Sequence, residues 1–338
     1  MKKTIIFLFV IFTGMTILFT KCSKDDETVV ATISGKVTYI SASGATMDAG
    51  GAVITVYKGT SAGEEYMAIV ANETGMYKVE RVDAGDYFLV ATYNTENVNN
   101  LKSDGVDGTT FKSDGVVVSI GSSDVVQDIT LGNVASAGTN VISTTDGTWS
   151  KESHSKITWK TLYHGEAAQL VGGFNNFGIK QLDFDEADPA STVIKGWVQL
   201  SSINTFEPGR DALGHCVTDD LGVEYNPADT AVDGTLNASA VDASTDTAWF
   251  NSTSVQAYGN GYLAKGDLIF KGVTKQIDMF FVYNGTYLIP GRTGGSDPFA
   301  VFEGEFTFDA ANDYNVDYSG GDEIEVNIHL QMKGPHIE

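Results

Sequence analysis

Cysteine, histidine and basic side chains are scarce in this chain. Two cysteines and five histidines among 338 residues leave little for thiol or metal chemistry, and 21 Lys and Arg against 44 Asp and Glu give a net charge of −23. A surface that acidic repels a phosphate backbone instead of neutralising it, which excludes nucleic acid as a partner. Charged residues make up only 19%, below the roughly 25% of an ordinary soluble domain. Long apolar runs are also missing beyond the first twenty residues, so disorder, coiled coil and a multi-pass membrane protein all drop out. What is present is 42% hydrophobic residues with 37 Gly and 14 Tyr, a composition of turns and strands. The length suits about two domains.

The N-terminus sets an address. Lys2 and Lys3 precede an apolar stretch from Ile5 to Phe19, which as a helix would reach only about 22 Å into a roughly 30 Å hydrocarbon core. A basic start, a short apolar run and a cysteine form a secretory signal, and Leu18-Phe19-Thr20-Lys21-Cys22 resembles a bacterial lipobox. The resemblance implies residues 1–21 as a signal peptide, acylation at Cys22 and a lipid anchor in the cell envelope. Ser23, Lys24, Asp25, Asp26 and Glu27 then form an acidic tether over 22–29, similar to the tag behind the lipid cysteine of surface-exported outer-membrane lipoproteins. With Cys22 acylated, Cys216 is the one remaining thiol, and no internal disulfide forms.

From Thr32, apolar Ile33, Val37 and Tyr39 alternate with polar Ser34, Lys36 and Thr38, the period of a half-buried strand. Short apolar runs follow at Ala52–Tyr57, Met76–Glu80, Tyr87–Tyr93, Val116–Ile120 and Val126–Leu131, separated by Gly, Asn and Asp. This predicts a Greek-key β-sandwich over 30–132. The segments Ile33-Ser34-Gly35-Lys36-Val37, Gly51-Ala52-Val53-Ile54-Thr55-Val56, Glu73-Thr74-Gly75-Met76-Tyr77 and Ala84-Gly85-Asp86-Tyr87 resemble the carboxypeptidase-regulatory-like (transthyretin-like) domain. That resemblance implies a spacer or docking module. Residues 133–146 are polar and rich in Ser, Thr and Gly, and predict a flexible, protease-sensitive linker between two independently folding halves.

The second half, 147–338, ends in the cleanest strand pattern of the chain. Ile324, Val326, Ile328, Leu330 and Met332 alternate with polar neighbours, and Phe302, Phe306 and Phe308 alternate with Glu303, Glu305 and Thr307. An antiparallel meander with one dry face closes on itself and turns that face inward. His154-Ser155 with Trp159 and His164, Gly173-Phe174, Ser201-Ser202-Ile203-Asn204-Thr205, Arg210-Asp211, Phe250-Asn251-Ser252-Thr253-Ser254-Val255 and Gly266-Asp267-Leu268-Ile269-Phe270-Lys271-Gly272 resemble the YceI-like polyisoprenoid-binding family. The resemblance implies a lipocalin-like antiparallel barrel around an apolar cavity for an isoprenoid chain, without catalytic residues or cofactor. Two departures stand out. The stretch between Arg210 and Phe250 is longer than in the family by roughly 20 residues, and Val301-Phe302-Glu303-Gly304-Glu305-Phe306 carries acid where a base is often found. An anionic head group is therefore disfavoured, and a neutral quinone or polyprenol preferred.

The inward faces of the strands offer Trp159, Phe174, Phe177, Trp197, Phe302, Phe306, Ile328 and Leu330 as cavity lining. Arg210 either meets a polar ligand group at the rim or pins a loop through Asp211. Chemistry elsewhere fails its own tests. Gly59-Thr60-Ser61-Ala62-Gly63 spells a nucleophile elbow but runs into another strand instead of a helix, which makes it a hairpin turn. Asp313, Asn315 and Asp317 begin a calcium loop in which Tyr318 and Ile324 replace the required Gly and Glu. His215 and Cys216 with Asp219 and Asp220 lack a second soft ligand at chelating spacing, as do His154 and His164. The expectation is a non-enzymatic envelope lipoprotein that binds a long-chain isoprenoid or similar lipid. Its rival is a surface module that binds protein or glycan around a packed barrel.

Overall fold

The computed structural model describes residues 30–41, 43–95, 109–133, 138, 140–163, 168–207, 246–291, 294–314, 316 and 323–338. The N-terminal strands are β1 (Val30–Ile40), β2 (Thr46–Asp48), β3 (Val53–Lys58), β4 (Glu65–Val70), β5 (Met76–Asp83), β6 (Gly85–Asn94), β7 (Thr110–Lys112), β8 (Val116–Ile120), β9 (Val125–Val126) and β10 (Ile129–Thr130). In one sheet β1 takes β5 and β2 antiparallel along one edge and β9 and β10 parallel along the other; the second sheet runs β4-β3-β6-β7, with β8 also on β6. The stretch Val126–Leu131, expected as one strand, is thus two short ones on the first sheet. Between them the backbone passes so close that a Cβ on Gly35 would fall 1.9 Å from the Gln127 carbonyl oxygen. Only glycine fits there, which is why the motif after Ile33 carries it.

The turn before β5 is built from its own side chains. The Asn72 amide oxygen accepts hydrogen bonds from the backbone N–H groups of Thr74 and Met76 and from the Thr74 hydroxyl, and Gly75 takes φ +74°. Tyr77 then donates its hydroxyl to the Gln127 carbonyl at 2.6 Å. Inside the sandwich Ile33, Val37, Ala52, Ile54, Val56, Leu89 and Ala91 are fully buried.

The C-terminal strands are β11 (Val141–Ser143), β12 (Ser150–Lys151), β13 (Lys156–Tyr163), β14 (Ala168–Phe174), β15 (Phe177–Asp185), β16 (Val193–Gln199), β17 (Ile203–Asn204), β18 (Thr247–Tyr258), β19 (Gly261–Phe270), β20 (Val273–Pro290), β21 (Ser296–Asp309) and β22 (Glu323–Lys333), with one short helix, α1 (Ala310–Tyr314), before β22. They form one 12-stranded sheet in the order β11-β15-β16-β18-β19-β20-β21-β22-β13-β14-β17, with β12 on β22. The chain is therefore all-β but for short helical turns. The curled sheet departs from the expected closed barrel at one place. Among the described residues no ladder joins β14 to β15; β17 pairs with β14 over two positions and β11 with β15 over three, one from each side of the gap.

β11 also corrects the expected linker. Ile142 is 1% exposed within the barrel core, Ser143 donates to the Asp183 carboxylate at 2.7 Å, and the Thr144 hydroxyl accepts from Leu182 N–H. An apolar pair, Val141 and Ile142, lies in this polar stretch as a strand on β15. The two halves also share a core. Tyr258, Leu263 and Phe280 of the barrel pack with the buried residues of the sandwich, and Phe111 meets Tyr258 edge-on at 5.0 Å. Asn133 accepts from Gly259 N–H and donates to the Ala257 carbonyl, and Asn260 accepts from Thr110 N–H. Strand alternation explains the double service of β20. Phe280 faces the sandwich, whereas Met279 and Phe281 belong to the barrel core.

Candidate functional site: an apolar cavity in the barrel

The inward side chains of the curled sheet enclose a cavity of about 190 Å³. Packed cores hold few voids larger than a water molecule, and an engineered void of about 150 Å³ among apolar side chains stays dry and admits small hydrocarbons. A space of this size is large enough for a small apolar guest by that measure. Register dictates its wall. β21 and β22 oppose Phe302 to Leu330 and Phe306 to Val326 on the inner face, and Trp159 of β13 opposes Val326 from the other side. Aromatic rings dominate. Phe250 lies nearly parallel to Phe306 at 6.5 Å, while Phe270, Phe308 and Tyr314 of α1 meet edge to face near 5.4 Å. Burial raises the Tyr314 phenol above its usual range.

Seven of the nine side chains singled out from the sequence line this cavity: Trp159, Phe174, Trp197, Phe302, Phe306, Ile328 and Leu330. Phe177 does not. Its register partner is the wall residue Val198, which puts it on the inward side of β15, yet its ring lies beneath the Lys151 ammonium at 4.5 Å and does not border the void. The bulge between Ile179 and Gln181 shifts the register by one residue, so that Phe177 and Leu182 lie on the same side of the sheet. Arg210 lies outside the described residues, as do Cys22, Asp211, His164, His215, Cys216, Asp219 and Asp220. The wall also includes Leu182, Ile194, Phe250, Leu268, Met279 and Phe281. Alternation alone does not single out Phe250 and Leu268, because Trp249 stands before the one and Ile269 after the other.

Among the described residues the wall holds no charged side chain and no hydroxyl. Its polar atoms are indole nitrogens, and the Trp159 Nε1 is buried without a hydrogen-bond partner. Glu303 is not part of it. Its carboxylate meets His329 Nδ1 at 2.6 Å on the half-exposed side of β21 and β22. The end of the wall near Leu200 is pinned by Asp246, 5% exposed, which accepts from the Ser201 N–H and hydroxyl and from the Gln199 amide.

Of the other motifs, Gly59 to Gly63 forms the turn between β3 and β4. Asp313 sits in α1, 3.1 Å from Lys275, and Asn315 and Asp317 fall outside the described residues. His154 is exposed. Among the described residues no three His, Cys, Asp or Glu side chains gather as a metal site.

The fold and its dry interior define a β-barrel binding protein. Residues 150–332 match the YceI-like domain, and the chain belongs to that family. Among solved structures it is similar to BcnA of Burkholderia cenocepacia, 18% identical over 52% of this chain and 95% of that one, TM-score 0.37. It is also similar to the YCEI protein of Campylobacter jejuni, 16% identical over 52% and 90%, TM-score 0.34. No curated protein matches the chain. Family membership rests on the match over 150–332.

Proposed function

We propose that this chain is a bacterial cell-envelope lipoprotein, anchored at the outer membrane through an acylated Cys22, whose barrel binds or carries a long-chain isoprenoid or similar neutral lipid. The sandwich at 30–132, on its resemblance to the carboxypeptidase-regulatory-like domain, serves as spacer or docking module, and no catalytic role is assigned. One observation carries the reading: a void of about 190 Å³ whose wall is apolar throughout. An apolar chain is held there by burial at about 25 cal/mol per Å² without polar contacts. The absence of any cation from the wall among the described residues favours a quinone or polyprenol over a pyrophosphate. Ligand pockets commonly run about 300–1,000 Å³, so a long chain needs flexible Met279 and the rim residues to give way. The rival reading, an interaction module around a packed barrel, does not fit a void of this size.

The test is lipid extraction and mass spectrometry on the native protein and on Ile328→Trp. Ile328 borders the cavity, so the larger ring occupies the ligand's space. The wild type should yield bound lipid and the variant none, with folding retained. An empty wild type together with a variant destabilised by about 1–3 kcal/mol, as overpacking would cause, overturns the carrier reading. Anchoring is tested separately. Cys22→Ala should abolish incorporation of a fatty-acid analogue and release the protein from membranes, and undiminished labelling refutes the lipoprotein.

A further inference from the structure

We propose that the corner of the barrel formed by Trp197 and Trp249 docks on the head-group zone of a phospholipid bilayer and is the portal through which lipid reaches the cavity. The inference rests on the lipid-carrier reading and adds the surface by which the carrier meets its source. Trp197 and Trp249 are direct partners across β16 and β18, half-buried, with ring centroids 6.4 Å apart. Their neighbours in each strand, Gly196, Val198, Ala248 and Phe250, belong to the inner wall, yet both indoles border the same cavity. The wall is thin here because Gly178 and Gly196 bring no side chain to it. The Trp197 indole covers Gly178 so closely that a Cβ there would fall 2.8 Å from its Nε1. The cavity therefore reaches the outer aromatic pair at this point.

The same corner carries positive charge on an acidic protein. The Lys180 ammonium stands 6.0 Å from the Trp249 ring. Lys195 lies two residues before Trp197 on the same side of β16. β18 contains no acid, and those of β15, Asp183 and Asp185, lie at its far end. Tryptophan and lysine together are the side chains that settle at a membrane interface, the ring in the boundary and the ammonium in the head groups. Charge then sets orientation. At physiological salt, interactions fade beyond about 8 Å, so an anionic bilayer feels Lys180 and Lys195 when this corner faces it and repulsion when any acidic face does.

The experiment uses the full chain with Cys22→Ser, so that an acyl anchor does not mask weaker contacts, and vesicles of phosphatidylcholine and phosphatidylglycerol with brominated acyl chains. Bromine quenches only indoles that contact the chains. Wild-type emission should be quenched, and Trp197→Gln with Trp249→Gln should lose the quenched part while Trp149 and Trp159 still emit. Lys180→Gln, a surface change that spares the fold, should weaken vesicle binding by about fivefold, the equivalent of about 1 kcal/mol per lysine near an anionic surface. Absence of quenching from a wild type that carries extractable lipid overturns the portal and leaves the carrier reading standing. A wild type without lipid and without quenching overturns both.

Discussion

The sandwich and the barrel bury apolar residues with opposite results. In the sandwich, Ala, Val, Ile and Leu interdigitate until many are wholly inaccessible, whereas most of the barrel interior retains a few per cent of exposure around a void. The barrel side chains are larger, not smaller: Phe250, Phe270, Phe281, Phe302 and Phe306 all face inward. Flat rings on a strongly curved sheet meet at tilted and perpendicular angles and leave space that branched aliphatics on two facing sheets do not. Packing is set by shape against curvature, and bulk alone does not fill a barrel.

The contrast can be broken most forcefully where the regions meet. Phe280→Ala removes a ring that both halves bury and should cost about 3–5 kcal/mol; calorimetry should show the single melting transition of the wild type split into two. Two separate transitions already present in the wild type would mean that the shared core does not couple the halves. Within each region, Leu89→Ala in the sandwich should cost about 2–5 kcal/mol. Leu330→Ala should cost less, because a side chain beside a void has fewer atoms to lose contact with. Equal losses in urea unfolding would erase the distinction. The smallest effect concerns β11. Burial pushes the Asp183 carboxyl up, but hydrogen bonds from Gln181, Ser143 and Thr145 outweigh it and hold the group below its usual range. A lowered carboxyl contributes stability above its unfolded value of about 3.9, lost as pH falls through the folded value. Amide exchange over Val141–Ser143 should therefore quicken below about pH 4 while β19 stays protected.

Much of this was legible as periodicity. The alternation in 324–332 and in 302–308 reads directly as β22 and β21, and with it the inward places of Phe302, Phe306, Ile328 and Leu330. Phe177 falls on the inward side of β15, opposite Val198, and what alternation does not show is that its ring lies under Lys151 and leaves the void to other side chains. β11 was invisible because Val141 and Ile142 are a short apolar pair in a polar stretch, and the burial of Ile142 depends on Leu182 and Phe184, some 40 positions away. The shared core escaped for the same reason. Phe280 reads as one more apolar residue in Met279-Phe280-Phe281, and nothing in the sequence says that its two sides serve different cores.

The gap between β14 and β15 gives the barrel an adjustable girth. A hoop of unbroken ladders can widen only by parting a full row of hydrogen bonds, at equal cost wherever it yields. Here β11 extends one side of the gap over three positions and β17 the other over two, with no ladder between them among the described residues, so a change in girth concentrates there and the other strands move as rigid staves. Room for a longer guest is then gained without parting any row of ladder hydrogen bonds.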